Sequence, residues 1–296
     1  MVASMFLLAI ATSCTDETAD DGSNASDNGG GGNTSFPEKK VKRVVYSSGD
    51  IHTLTYDFYW NGNLLDRISC SNQNGVSINK MYFYYDGQGR ISKTAFQMYD
   101  DDEIIDAYTY SYDANGRLVK QEIQVPLYSN YDPETGEEVY TYMPSTYTFT
   151  YTNGNVSKIH SESYEYDDGV YKNEIDYLCT WTDGNLTTIK EIIDDDSETF
   201  TLQYDDKKNP LRLPMGVEVI NPFWSLGNED INVAGGDYSY MAALFYLAGA
   251  NVNNCTSLNL ETQSFFTRTY TYNSDGYPIS GTISHEQPLN FTITYY

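Results

Sequence analysis

Positive charge is scarce in this chain. Its 296 residues include only 17 lysines and arginines against 42 acids, a net charge of -25. Such a surface repels nucleic-acid phosphates, so no nucleic-acid partner is expected. Apolar runs are short as well. None reaches the roughly 18 residues that suggest a membrane-crossing helix. The three histidines, His52, His160 and His285, form neither an HxH nor an HExxH pattern, so no zinc site is expected. There is no nucleophile elbow, no phosphate-cradling loop and no dinucleotide fingerprint. The abundant residue is tyrosine, 29 of them, and that much aromatic surface argues against disorder throughout.

Cysteine is also rare. Cys14 sits in the leader, which leaves Cys70, Cys179 and Cys255. Three is odd, so a full disulfide framework is excluded and at most one bridge stays open. Cys179 alternates with Tyr177 and Trp181, which reads as a small buried hydrophobe. The segment 37–296 is long enough to bury roughly 70–75% of its unfolded surface and needs no staples.

Met5 to Ala11 is a short apolar run, followed by Ala11-Thr12-Ser13-Cys14. This resembles a bacterial lipoprotein signal, with residues 1–13 removed and Cys14 carrying the lipid. Ala11 stands where leucine is commoner, and no base precedes the run. A plain secretory signal is the competing reading. The acidic stretch Thr15-Asp16-Glu17-Thr18-Ala19-Asp20-Asp21 resembles the surface-export signal of Bacteroidetes lipoproteins. Residues 14–36, rich in Gly, Asn, Ser and Asp, cannot bury enough apolar surface to order themselves. They read as a tether of about 25 Å root-mean-square reach.

Residues 37–296 repeat one pattern. An alternating strand ends on an aromatic, a glycine-containing turn follows, and an aliphatic opens the next strand. Copies are Trp60-Asn61-Gly62-Asn63-Leu64, Tyr85 to Ile91, Tyr112 to Leu118, Tyr151 to Val156 and Trp181 to Leu186. Looser ones are Tyr204 to Leu211 and Tyr272 to Tyr277. Asn-Gly and Asp-Gly supply the positive φ that tight hairpins need. Between turns, Tyr108, Tyr110 and Tyr112 share one face opposite Thr109 and Ser111; Tyr147, Phe149 and Tyr151 do the same. The expected fold is all-β: an antiparallel meander of about 14–16 strands, curled into a barrel or half-barrel. One short helix is expected near 238–248. Asp237 and Gly249 can cap it, and its apolar surface all round implies burial as a plug.

The Tyr-Asp-x-x-Gly-Arg-Leu turns resemble the tyrosine-aspartate repeats of Rhs-type and teneurin-type shells. Over residues 40–296 the chain is similar to a family of Bacteroidetes lipoproteins of unknown function with a porin-like fold. That resemblance implies a large curved or closed sheet and no activity.

Three features point to a body outside the bilayer. The apolar set Leu289, Phe291, Ile293 and Tyr295 is out of step with the terminal Tyr296. Tyrosine runs through mid-strand and is not confined to girdles. A lipid anchor would be redundant on a spanning barrel. The expected function is a non-catalytic binding or structural module exposed on the outer membrane. Its lipid on Cys14 would be the membrane contact, and a glycan or another envelope protein the ligand. The alternatives are a glycan hydrolase using paired carboxylates and an outer-membrane porin-like channel. Phe223 and Trp224, in a proline-marked loop, are the candidate ligand-binding pair, although core packing is the simpler role. No cofactor is implied. Calcium is the one ion that Asp100 to Glu103, Asp167-Asp168 or Asp194 to Asp196 would suit, and none of these runs matches a calcium-loop pattern.

Overall fold

A computed structural model describes residues 39–48, 52–98, 105–131, 138–166, 170–210, 251–261, 263–284 and 288–296. Cys14, the tether, Phe223, Trp224 and the expected helix at 238–248 lie outside the described residues, as do two of the acidic runs.

The strands are β1 (Val41–Ser48), β2 (His52–Asn61), β3 (Leu64–Asn72), β4 (Ser77–Tyr85), β5 (Ile91–Met98), β6 (Ile105–Tyr112), β7 (Leu118–Tyr131) and β8 (Glu138–Thr152). They continue as β9 (Asn155–Tyr166), β10 (Val170–Thr182), β11 (Asn185–Ile193), β12 (Asp196–Lys208), β13 (Asn253–Leu260), β14 (Gln263–Tyr272), β15 (Pro278–Ser284) and β16 (Leu289–Tyr295). Each pairs antiparallel with its chain neighbours, and β1 pairs with β16. Sixteen strands therefore form one closed barrel. The half-barrel alternative gives way to the β1–β16 ladder, where Arg43 faces Thr294 and Ser47 faces Asn290.

The turns follow their sequences. Asn153-Gly154 and Asp183-Gly184 have positive φ at both residues, the backbone that lets a two-residue loop match the strand twist. In the longer turns a carboxylate replaces the missing backbone acceptors. Asp86 Oδ1 accepts from the amides of Gln88 (2.8 Å) and Arg90 (2.9 Å), and Oδ2 accepts from Arg90 Nε at 2.7 Å. Asp113 repeats this with Asn115 and Arg117.

After each of these turns the ladder slips by one residue. Tyr84 faces Lys93 but Tyr85 faces Ile91, which leaves Ser92 as the extra residue of a bulge. Asp66, Val119, Ser157, Thr187 and Ile279 hold the same place in their hairpins. A bulge raises the local twist, and its recurrence in these hairpins helps turn a flat meander into a curve.

The aromatic at each slip also reaches back to the preceding repeat. Tyr85 Oη donates to the carbonyl of Leu65 (2.8 Å), Tyr112 to Ile91 (2.7 Å), Tyr151 to Leu118 (2.8 Å) and Tyr204 to Leu186 (2.7 Å). Trp60 Nε1 donates to Val41 (2.8 Å), Trp181 Nε1 to Val156 (2.7 Å) and Tyr295 Oη to Pro278 (2.6 Å). The Arg90 guanidinium lies 4.5 Å over the Tyr112 ring, and that of Arg117 lies 4.9 Å over Tyr151. Each repeat is thus tied to the next by a hydrogen bond and, at two places, by a stacked cation. Tyr272 departs from the pattern and bonds the Asp205 carboxylate. Asp205 also accepts from the Asn254 amide at 3.1 Å, bracing the start of β13.

The face expected to be aromatic points inward. Tyr108 and Tyr110 are buried and Thr109 and Ser111 exposed; Leu289, Phe291 and Ile293 are buried and Asn290, Thr292 and Thr294 exposed. All sixteen strands contribute to one buried cluster, from Val41 through Phe58, Ile159 and Phe200 to Ile293. A circular sixteen-stranded barrel is wide enough to hold an aqueous channel. Here the inward wall is buried, so the barrel holds a core. Gly281 marks its tightest point. The Phe291 ring lies where a side chain would stand, and an added Cβ would come 2.0 Å from the Thr269 carbonyl.

Candidate functional site

The alternation that fills the interior leaves a charged cluster of side chains on the outward face of β9 and β10. On β9 these are Lys158, His160 and Glu162; on β10 they are Lys172, Glu174 and Asp176. The register sets Asp176 opposite His160 and Glu174 opposite Glu162, two like charges face to face. Lys172 resolves that clash. Its ammonium bonds Glu162 and reaches Glu174 Oε1 at 2.6 Å. Asp176 takes His160 Nδ1 at 2.7 Å through one oxygen and Lys158 Nζ at 2.7 Å through the other.

These pairings set the ionisation. Lys172 holds the Glu162 carboxyl below its ordinary value. Burial pushes Asp176 up, but Lys158 and His160 outweigh it and the group ends below the usual carboxylate range. The two glutamates raise the Lys172 ammonium in turn. The patch is a ladder in which each carboxylate is paired with a lysine or with His160.

One atom from each of His160, Glu162 and Glu174 lies within 4.8 Å of the other two, a spacing that could hold a metal ion. Among the described residues Lys172 already supplies the cation there. The sequence showed His160 and Glu162 two apart on one strand, but nothing local pointed to Glu174, which arrives through the β9–β10 register. Of the acidic runs, Asp194 to Asp196 is described. It forms the exposed β11–β12 turn, with Asp194 at a φ of 51°. Cys14, Phe223 and Trp224 lie outside the described residues.

The interior has polar members too. Arg268 projects inward from β14, with its guanidinium 4.5 Å over the Phe266 ring. Its Nε atom is buried without an acceptor among the described residues. Tyr270 beside it donates to the Cys255 carbonyl at 2.8 Å and packs edge-on to Phe291, centroids 5.6 Å apart. Cys70, Cys179 and Cys255 are all free thiols, which settles the open disulfide. Cys179 packs against the core as expected, and burial pushes its thiol up to about 12.

The class defined by these features is a closed antiparallel barrel of stitched hairpins with a packed aromatic interior and a polar outer wall. No family model matches the chain. No curated protein sequence matches it either. Among solved structures, a porin-like protein from Bacteroides uniformis ATCC 8492 is similar at 14% identity. The match covers 88% of this chain and 100% of that one, with a TM-score of 0.48. A porin-like protein from Bacteroides vulgatus ATCC 8482 is similar at 10% identity, covering 88% and 99%, with a TM-score of 0.47. The complex TcdB2-TccC3-TEV aligns over 80% of this chain but 15% of its own, at a TM-score of 0.20. The barrel itself rests on the strand pairing described above.

Proposed function

We propose that the protein is a lipid-anchored barrel on the outer membrane, acting as a non-catalytic binding or structural module whose outer wall meets its partner. The carrying observation is the direction of the two faces. Apolar side chains from every strand are packed inward, while the outward positions are mostly threonine, serine and charged residues, with single exposed side chains such as Tyr59, Tyr84 and Leu178 among them. A bilayer-spanning barrel requires the reverse, an apolar band outside and polar groups within. The face distribution therefore favours a body standing in water over the channel reading, and Cys14 would supply the membrane contact.

The hydrolase reading needs one carboxyl held protonated as the acid. Asp86, Asp113, Glu162, Asp176, Asp206 and Asp275 are all displaced in the other direction, by arginine, lysine or backbone amides. These six act as structural ion pairs.

The test is fatty-acid labelling of cells expressing the native chain and Cys14→Ala, with protease digestion of intact cells. Label on the native chain alone, and digestion from outside, is the expected outcome. An unlabelled native chain, or a Cys14→Ala chain that is soluble only in detergent, would overturn the reading.

A further inference from the structure

We propose that the barrel interior holds a binding site for a small monocarboxylate with an apolar body, and that Arg268 of β14 is the group that takes the carboxylate. The proposal goes beyond the anchored-module reading and does not depend on it.

A belt of opposing inward residues carries the site. Tyr46 of β1 faces Phe291 of β16, Phe291 faces Gly281 of β15, and Gly281 faces Tyr270 of β14. Arg268 is two residues from Tyr270 and therefore on the same face. Farther round, Tyr204 of β12 faces Cys255 of β13. Phe291 is buried, but Tyr46, Tyr204, Cys255, Arg268 and Tyr270 each keep part of their surface accessible. Burial is nonetheless the largest influence on the ionisation of all five. Side chains that point into a closed barrel, lie deep within it and still have accessible surface line a gap in its core.

The gap holds a charge without a counter-charge. Arginine keeps its proton in a protein interior. The Arg268 guanidinium stacks 4.5 Å over Phe266 and hydrogen-bonds Tyr270, but its Nε has no acceptor and among the described residues it pairs with no carboxylate. Burial pushes the Tyr46 and Tyr270 hydroxyls and the Cys255 thiol up, so all three stay neutral and none offsets the charge. Asp205 lies beyond Tyr272 and is engaged there: it accepts from that hydroxyl, from the Asn254 amide at 3.1 Å and from the Lys207 amide at 2.9 Å. Glu191 is buried on β11, three strands from β14, and has a partner of its own. A buried charge left unpaired is costly, so the gap favours an anion.

The surroundings select which anion. One cation among neutral groups matches a single negative charge; a dianion would leave an excess charge in the same low-dielectric place. The guanidinium fork suits a planar carboxylate. The Tyr46 hydroxyl, which has no hydrogen-bond partner among the described residues, offers a further donor. The Tyr46 ring packs against Tyr56 and Phe291, with centroids 5.8 and 6.1 Å away. With Tyr270 these rings form an apolar wall for the body of the ligand.

The test uses the full chain carrying Cys14→Ser in equilibrium urea unfolding at neutral pH. Sodium octanoate replaces sodium chloride at constant ionic strength, and uncharged octanamide is the control. Every molecule opens during the transition, so the closed barrel does not bar entry. A ligand held by the folded state raises the midpoint in step with the logarithm of its concentration. Octanoate should do so and octanamide should not. Arg268→Met should abolish the rise, and Tyr46→Phe should weaken octanoate binding about fivefold. If Arg268→Met does not fold, Tyr46→Phe and the contrast between the two probes decide. No rise with octanoate, an equal rise with octanamide, an undiminished rise in a folded Arg268→Met, or full octanoate affinity in Tyr46→Phe would overturn the proposal.

Discussion

The tyrosines packed inward make alkaline pH a sharp probe of the fold. Tyr46, Tyr56, Tyr204 and Tyr270 are the most deeply buried of those whose hydroxyls are displaced upward. Burial is the main cause in each, and Tyr270 is pushed up to about 12. An unfolded tyrosine ionises near pH ~10. Above that pH the unfolded chain releases protons that the folded chain retains, so stability is fully present below about pH 10 and falls as pH rises. Each such tyrosine removes about 1.4 kcal/mol per pH unit until its folded value is reached. Four together remove about 5–6 kcal/mol per unit. The partly buried Tyr85, Tyr112, Tyr151 and Tyr295 act in the same direction. Against a total stability of about 5–15 kcal/mol for a domain, the barrel should unfold cooperatively between about pH 11 and 12.5. Urea titrations followed by tryptophan fluorescence from neutral to strongly alkaline pH would measure the slope, with tyrosinate absorbance recorded in parallel. The reasoning requires these buried tyrosines to ionise together with unfolding. Smooth ionisation of nearly all tyrosines near pH ~10, with fluorescence still native, would refute it.

Three further outcomes are expected. Tyr112→Phe removes the bond to the Ile91 carbonyl while keeping the ring under Arg90, and should cost about 1 kcal/mol in chemical denaturation. Gly281→Ala drives a methyl into the Thr269 carbonyl and the Phe291 ring; a loss of about 1–3 kcal/mol or more is expected, and an unchanged melting temperature would contradict the packing. Cys70, Cys179 and Cys255 should resist a thiol reagent in the native protein and react together in denaturant, because burial disfavours the thiolates of Cys179 and Cys255.

Most of the wall was legible because its signals are local. The two-residue period of Tyr108, Tyr110 and Tyr112 identifies an inward face without knowledge of the partner strand. Asn153-Gly154 and Asp183-Gly184 identify turns from two residues each. The expected count of about 14–16 strands met sixteen. Closure was not legible, because β1 and β16 meet across the whole chain and nothing in Val44 names Ile293 as its partner. Register carries the same limit. Tyr112 is visibly the last residue of its strand, yet its hydrogen bond goes to Ile91, a residue of the preceding repeat whose nearness follows from the β4–β5–β6 pairing. The His160, Glu162 and Glu174 group failed for this reason as well, since the third member arrives from another strand. Phe223 and Trp224 lie outside the described residues, so the candidate pair is neither supported nor displaced.

The stitching explains why such a wall can hold together with a varied outer surface. Each repeat spends its inward positions on the core and its strand-end aromatic on the previous repeat. Turn residues such as Asp86 and Asp113 are occupied by backbone amides and arginines. What remains unconstrained is the outward set of each strand. On β9 and β10 that set forms a ladder in which every acid is matched with a base or a histidine. On β2 to β5 it forms tyrosines carrying cations. The ladder meets its charges among its own members. In both places the outward side chains can be exchanged with little effect on folding, because the core and the strand-end hydrogen bonds are built from the other residues of each strand.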